Sequence, residues 1–152
     1  MLKKQTISAI LTVVLLTISL NVSYAKKIPP QSNKEIATEF LHAIVNAKDY
    51  DAASKYLGSW YTEHDPEGAD GPTGLKAYIQ FLRDNFPNSH VEIKRVIADG
   101  DYVILHVHSI LTPGTRGQAI VDIFRLAKGK VIEHWDVTQE IPEKSSNPNG
   151  MF

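Results

Sequence analysis

Asp122-Ile-Phe-Arg-Leu-Ala-Lys-Gly-Lys-Val-Ile-Glu-His-Trp-Asp-Val-Thr-Gln139 is the stretch on which the reading of this chain turns. Lys128-Gly129-Lys130 separates two runs rich in β-branched and aromatic residues, so the segment predicts a β-hairpin. Side chains alternate between the faces of a strand. One face then carries Asp122, Phe124 and Leu126, followed on the return strand by Ile132, His134 and Asp136. The opposite face carries Arg125 and Glu133, an opposite-charge pair suited to a wetter surface. Ionisable and large apolar groups sharing one face point to a lined pocket more than to a plain core.

Working outward toward the C-terminus, a polar, turn-rich tail ends in Met151-Phe152. Toward the N-terminus the period of two continues. Val91 to Ile97 reads as a strand, Asp99-Gly100 as a tight turn, Tyr102 to Leu111 as a longer strand, and Gln118 to Leu126 as the first arm of the hairpin. Upstream the period becomes helical. Ser32-Asn33-Lys34-Glu35 fits a capping box, and Ile36, Phe40, Ala43, Ile44 and Ala47 make Asn33 to Ala47 an amphipathic helix. A short helix follows from Asp49 through Leu57, ended by Gly58. Trp60-Tyr61-Thr62-Glu63-His64-Asp65-Pro66 and the Gly/Asp-rich residues to Pro72 read as a loop unusually rich in functional side chains. Leu75, Tyr78, Ile79, Leu82 and Phe86 define a third helix stopped by Pro87. Three helices followed by a four-strand antiparallel meander predict an α+β domain, with the helices packed in a strongly curved sheet shaped as a half-open cone.

Residues 1–25 carry a different signal. Lys3 and Lys4 precede an apolar run from Ile7 to Leu20, which ends in Ser23-Tyr24-Ala25, the pattern of a cleaved secretory signal peptide. The run is short for a spanning helix and diluted by Thr and Ser, so a membrane anchor is the weaker alternative. The expected organisation is a signal peptide over 1–25, a leader over 26–31 and one domain over 32–152, periplasmic or secreted. Cleavage removes two of sixteen basic residues and none of the seventeen acidic ones, leaving a net charge of −3. That balance argues against nucleic acid as a partner. The chain has no cysteine, which excludes disulfides and thiol catalysis.

Candidate chemistry gathers on the sheet. On Tyr102 to Ile110, His106 and His108 share a face with Tyr102, Ile104 and Ile110, while Val103, Leu105 and Val107 share the other. Parity alone leaves open which set faces inward. His106-X-His108 beside Asp122, His134 and Asp136 allows a metal site, but no ligand motif of sharp spacing is present, and no metal is expected. Asp136 next to Trp135 and Val137 is either a surface aspartate or a carboxylate whose pKa is raised in an apolar pocket. The second state suits proton removal from carbon beside a carbonyl. No serine lies in a nucleophile-elbow context and no phosphate-binding loop precedes a helix.

From about Ser32 onward the chain resembles a SnoaL-like polyketide cyclase domain of the nuclear-transport-factor-two-like (cystatin-like) fold superfamily. The segments that carry the resemblance are Tyr61-Thr-Glu-His64-Asp-Pro66, Gly71-Pro-Thr-Gly74-Leu75, Val103-Ile-Leu-His106-Val-His108, Asp122-Ile-Phe-Arg125, Gly129-Lys-Val-Ile-Glu-His134-Trp135-Asp136 and Asn149-Gly-Met-Phe152. The resemblance implies ring closure by intramolecular aldol chemistry with no metal and no organic cofactor, and an aspartate acid/base at Asp136. Where the family segment commonly reads Tyr-X-Gln-His-Asn-Pro, this chain has Glu63 and Asp65, carboxylates in place of amides that can donate. The expectation is therefore cofactor-independent acid/base catalysis on a small hydrophobic carbonyl compound. Asp136 with His106 or His108 would do the chemistry, and Tyr61, His64, Asp122, His134 and Trp135 would contact the ligand. The alternative is a non-catalytic periplasmic binding or dimerisation module using the same pocket, with a homodimer left open.

Overall fold

The computed structural model describes residues 31–152, so the expected signal peptide and all of the leader but Gln31 lie outside the described residues. Ser32 closes the expected capping box: its hydroxyl accepts from the Glu35 amide, and the Glu35 carboxylate accepts from the Ser32 amide at 2.7 Å. The helix it starts, α1 (Asn33–Leu41), does not run unbroken to Ala47. It widens into a π-turn over His42–Asn46, in which the Ala47 amide donates to the His42 carbonyl at 2.9 Å. The extra residue buries Ala43, Ile44 and Val45 in succession. It also aims Asn46 at the edge of the sheet, where its side-chain amide both donates to and accepts from the Val91 backbone. Single π-turns of this kind are frequent beside functional sites.

The second helix is shorter than its periodicity suggested. It spans Tyr50–Ser54 (α2) and is capped by the Asp49 carboxylate. Leu57 and Gly58, expected as its end, instead open a strand, β1 (Leu57–Glu63). The segment read as a loop thus supplies a fifth strand. Its beginning is fixed when the Val131 amide donates to the Tyr56 carbonyl at 2.8 Å. Helix α3 (Gly71–Asn85) begins one turn earlier than expected, with Pro72 in its first turn, where a missing N–H costs nothing. A β-carbon on Gly74 would lie 1.9 Å from the Ala69 carbonyl oxygen, so this glycine lets the loop after β1 fold down onto the helix.

Strands β2 (His90–Asp99), β3 (Tyr102–Ile110), β4 (Gln118–Ala127) and β5 (Lys130–Glu140) form the expected antiparallel meander. Lys128 and Gly129 both have positive φ, the geometry of a type I′ hairpin turn. Strand β1 adds to the outside of β5 in parallel, giving the order β1-β5-β4-β3-β2 and making the curved, open sheet mixed. Val103, Leu105, Val107, Phe124, Leu126 and Val131 bury their side chains with Phe40, Ile79 and Leu82 of the helices. Phe40 meets Phe124 edge-on at 5.8 Å and Tyr61 at 6.3 Å.

The shared face of the hairpin holds from Asp122 to Phe124, where Asp122 pairs with Asp136 and Phe124 with His134. A register shift after Arg125 then pairs Leu126 with Val131. The extra residue of that bulge brings Val131 into the core cluster, while Ile132, also buried, packs against Gly58. Among the described residues no helix is long and apolar enough to cross a membrane.

Candidate functional site

Adjacency of β1, β5 and β4 brings three inward-facing ionisable residues into a row: Glu63, His134 and Asp122. His134 Nδ1 lies 2.8 Å from Glu63 Oε1 and Nε2 lies 3.1 Å from Asp122 Oδ1. With a carboxylate on each nitrogen, both must carry hydrogen, and the ring is an imidazolium. Burial opposes that charge, but the hydrogen bonds and charges of Asp122 and Glu63 outweigh it and push His134 up to about 10. Phe124 stacks on the same ring at 4.7 Å.

Glu63 is satisfied from every side. Its Oε1 also accepts from the amides of His64 and Asp65, and its Oε2 accepts from the Tyr61 hydroxyl at 2.7 Å. Burial raises its pKa, yet the bonds from His134, Tyr61 and the backbone together hold it below the ordinary glutamate value. The Tyr61 hydroxyl is driven far above its usual range by burial and by Glu63, and stays protonated.

Asp136 stands directly across from Asp122 and makes no hydrogen bond or ion pair among the described residues. Loss of solvent raises its pKa. The His134 cation pulls the other way, but the charges of Asp122, Asp65 and Glu63 add to the rise and bring it to about 6. These groups line a cavity of about 100 Å³ between the sheet and the helices. Most of the rest of its wall is apolar, including Leu41, Ile44, Val107 and Leu111, with Asp65 and Ser109 set into it, and Tyr78 of α3 stands 47% exposed at its edge. One half-buried carboxylate able to hold or release a proton near neutral pH, facing apolar space, can shuttle a proton.

Of the residues singled out in the sequence, Tyr61, Asp122, His134 and Asp136 line this cavity. His64, Trp135, His106 and His108 do not. The first two stack on each other at 4.4 Å with planes 4° apart, on the opposite side of the sheet, where Glu133 bonds His64 Nε2 at 2.9 Å and pairs with Arg125. The expected opposition of Arg125 and Glu133 to the pocket therefore holds, although those pairings leave the Glu133 side chain only 16% exposed. On β3 the inward set is Val103, Leu105 and Val107, each fully buried, so alternation turns His106 and His108 outward. There His106 bonds Arg95, His108 bonds the Arg116 carbonyl, and both rings lie against Phe152. Their expected part in catalysis is corrected accordingly. Glu63, Asp65 and Tyr78 are cavity residues missing from the sequence-derived set. The carboxylates of the Glu63 to Asp65 segment were visible there, but only the strand character of β1 turns Glu63 inward.

Asp122, His134 and Asp136 could in principle hold a metal, since one ligand atom of each lies within 4.8 Å of the others. Coordination would require a neutral imidazole, whereas His134 is clamped as a cation. Dialysis against a chelator should accordingly leave the melting temperature unchanged. A stoichiometric metal retained through purification would contradict the imidazolium.

A family model described as a SnoaL-like domain matches residues 37–134, which include the triad and stop two residues before Asp136. Solved structures give the same fold. A candidate polyketide cyclase from Acidithiobacillus ferrooxidans is 24% identical, with a TM-score of 0.59 over 73% of this chain and 91% of that one. An uncharacterized cystatin-fold protein from Novosphingobium aromaticivorans is 23% identical, with a TM-score of 0.60 over 70% and 98%. An NTF2-like protein of unknown function from Cytophaga hutchinsonii is 20% identical, with a TM-score of 0.59 over 75% and 95%. Identities this low carry the fold alone. No curated protein sequence matches the chain.

Proposed function

The chain belongs to the SnoaL-like domain family, and on that premise we propose that it is a cofactor-independent acid/base catalyst of the aldol-cyclase or isomerase type, acting on a small carbonyl compound. The observation that carries this reading is Asp136: a carboxylate without a partner among the described residues, facing a largely apolar cavity, with its pKa brought to about 6. In its ionised form Asp136 takes a proton from the carbon next to the carbonyl, and the electron pair of that C–H bond becomes the enolate. The enolate then attacks a second carbonyl, or is protonated at another carbon. The carboxylic acid formed on Asp136 returns its proton to the resulting alkoxide or carbon, so the cycle closes without an external acid. The Asp122–His134–Glu63 row, its cation already paired with two carboxylates, forms a fixed wall beside the reacting centre. Tyr78, whose hydroxyl has no partner among the described residues, is free to donate to the developing oxyanion.

The test is exchange of α-hydrogens for deuterium in a panel of small ketones and 1,3-diketones, followed by proton NMR. Accelerated exchange that saturates with ketone supports the reading. A ketone that raises the melting temperature, and so binds the native state, yet exchanges at the buffer rate would instead favour the non-catalytic binding module.

Export belongs to the same proposal, because residues 1–25 have the pattern of a cleaved signal. Mass spectrometry of protein from the periplasm or medium should find an N-terminus at or near Lys26. Intact Met1 in the membrane fraction would favour the anchor.

A further inference from the structure

The cavity is short of positive charge. Among the described residues its acidic lining consists of Glu63, Asp65, Asp122 and Asp136, its only basic lining residue is His134, and no lysine or arginine lines it. His134 is spent on Glu63 and Asp122, so the triad alone keeps one net negative charge. Asp65 adds a second and Asp136, when ionised, a third. Donors are as scarce as cations. Both N–H groups of His134 and the Tyr61 hydroxyl are committed to carboxylates, which leaves the hydroxyls of Ser109 in the wall and of Tyr78 at the cavity's edge. A ligand bearing a carboxylate or phosphate would meet this field without a partner. A neutral ketone would gain little from it, and its enolate would form against it. A ligand cation would be held by it, and more strongly in the apolar wall than in water.

We propose, resting on the carbonyl reading above, that the substrate class is a small apolar amino-carbonyl compound. Its ammonium lies against Asp65 at the mouth, its carbonyl carbon chain faces Asp136, and its body fills the part walled by Leu41, Ile44, Val107 and Leu111. The positive charge serves the chemistry as well as the binding. When Asp136 takes the α-proton, the negative charge that develops on the carbonyl oxygen is offset by the substrate's own ammonium. The enolate is then neutral as a whole, and Asp136 returns the proton in the second half of the cycle.

An isosteric series isolates charge from shape. N,N-dimethyl-4-oxopiperidinium and 4,4-dimethylcyclohexanone differ in one central atom and one positive charge, and 4-oxocyclohexanecarboxylate supplies the anion. By calorimetry at pH 7.5 and low salt, the cation should bind the mature protein on the order of tenfold or more tighter than its neutral isostere, with the anion weakest. Asp136 is faced by Asp122 of β4, Glu63 and Tyr61 of β1, Asp65, Tyr78 of α3 and, on its own strand, His134. Asp136 gains a proton as pH falls through about 6, so the advantage of the cation should shrink over that range. Asp65→Asn should also shrink it. Equal affinity for cation and isostere, or tighter binding of the carboxylate, would overturn the proposal. Deuterium exchange on the same ketones separates the two readings. Charge preference without exchange keeps the ligand class and sinks the catalytic reading. Exchange without charge preference does the reverse.

Discussion

Asp136→Asn should abolish turnover while leaving a folded protein that still binds its ligand. The amide keeps the shape of the side chain but cannot accept a proton at working pH, and general acid/base contributions are typically worth ~10²–10⁴ in rate. Deuterium exchange of a ketone that binds should fall by that order. Stability should move the other way, within a definite pH window. The folded-state pKa of Asp136 is raised from the ordinary aspartate value to about 6. Its contribution is therefore fully present below about 3.9 and is lost as pH rises through about 6. Replacing it should leave the melting temperature nearly unchanged at pH 4 and hold or raise it at pH 7.5. A variant that exchanges at the full rate would remove Asp136 as the base and leave Asp122 as the candidate.

His134→Ala should be the most destabilising single substitution at the site. It leaves Glu63 and Asp122, with side chains only 11% and 8% exposed, facing each other without the cation that joins them. Removing one member of a buried ion pair typically costs ~3–5 kcal/mol, because the remaining charge stays buried and unpaired. Chemical denaturation at pH 7 reads this directly, and a loss below about 1 kcal/mol, the range of exposed pairs, would mean that the triad is not the ionised cluster described. The pH dependence gives an independent check. The folded-state pKa of His134 lies near 10, against an unfolded value near 6.5, so its stabilisation is complete below about 6.5 and is lost as pH rises through about 10. The wild-type protein should show that alkaline decline, and the variant should lack it.

How far the sequence anticipates this site depends on whether each contact is local or distant. The capping box at Ser32, the hairpin through Lys128-Gly129 and the pairing of Asp122 with Asp136 are all set by neighbours close in the chain, and all could be read from period and turn chemistry. Strand β1 could not. Its partner β5 lies some seventy positions away, as in the pairing of Glu63 with His134, and the strand offers only Leu57 and Tyr61 as buried apolar positions. Such a short parallel edge gives a weak alternation, and the aromatic and acidic residues in it resemble a loop. Assigning it as a strand would have placed Tyr61 and Glu63 inside and His64 outside by alternation alone.

The two histidines of β3 illustrate a different limit. The sequence presents two faces, one with His106 and His108 and one with Val103, Leu105 and Val107, and alternation cannot rank them. Burial decides, because the sheet must cover the apolar face of α1 and α3, and the all-aliphatic set is the one that can. The bulge after Arg125 and the π-turn after Leu41 each insert one residue that no local pattern announces. The π-turn supplies Ile44 and Val45 to the cavity wall, where regular geometry gives way to the shape of the site.

The account rests on Asp136 being poised near neutrality by its surroundings, and the most direct measurement is a carbon-13 NMR titration of its side-chain carboxyl in aspartate-labelled protein, assigned with the Asp136→Asn variant. A midpoint near 6 is expected. A midpoint near 3.9, the ordinary aspartate value, would show a carboxylate exposed to water and contradict its role as the acid/base of this pocket.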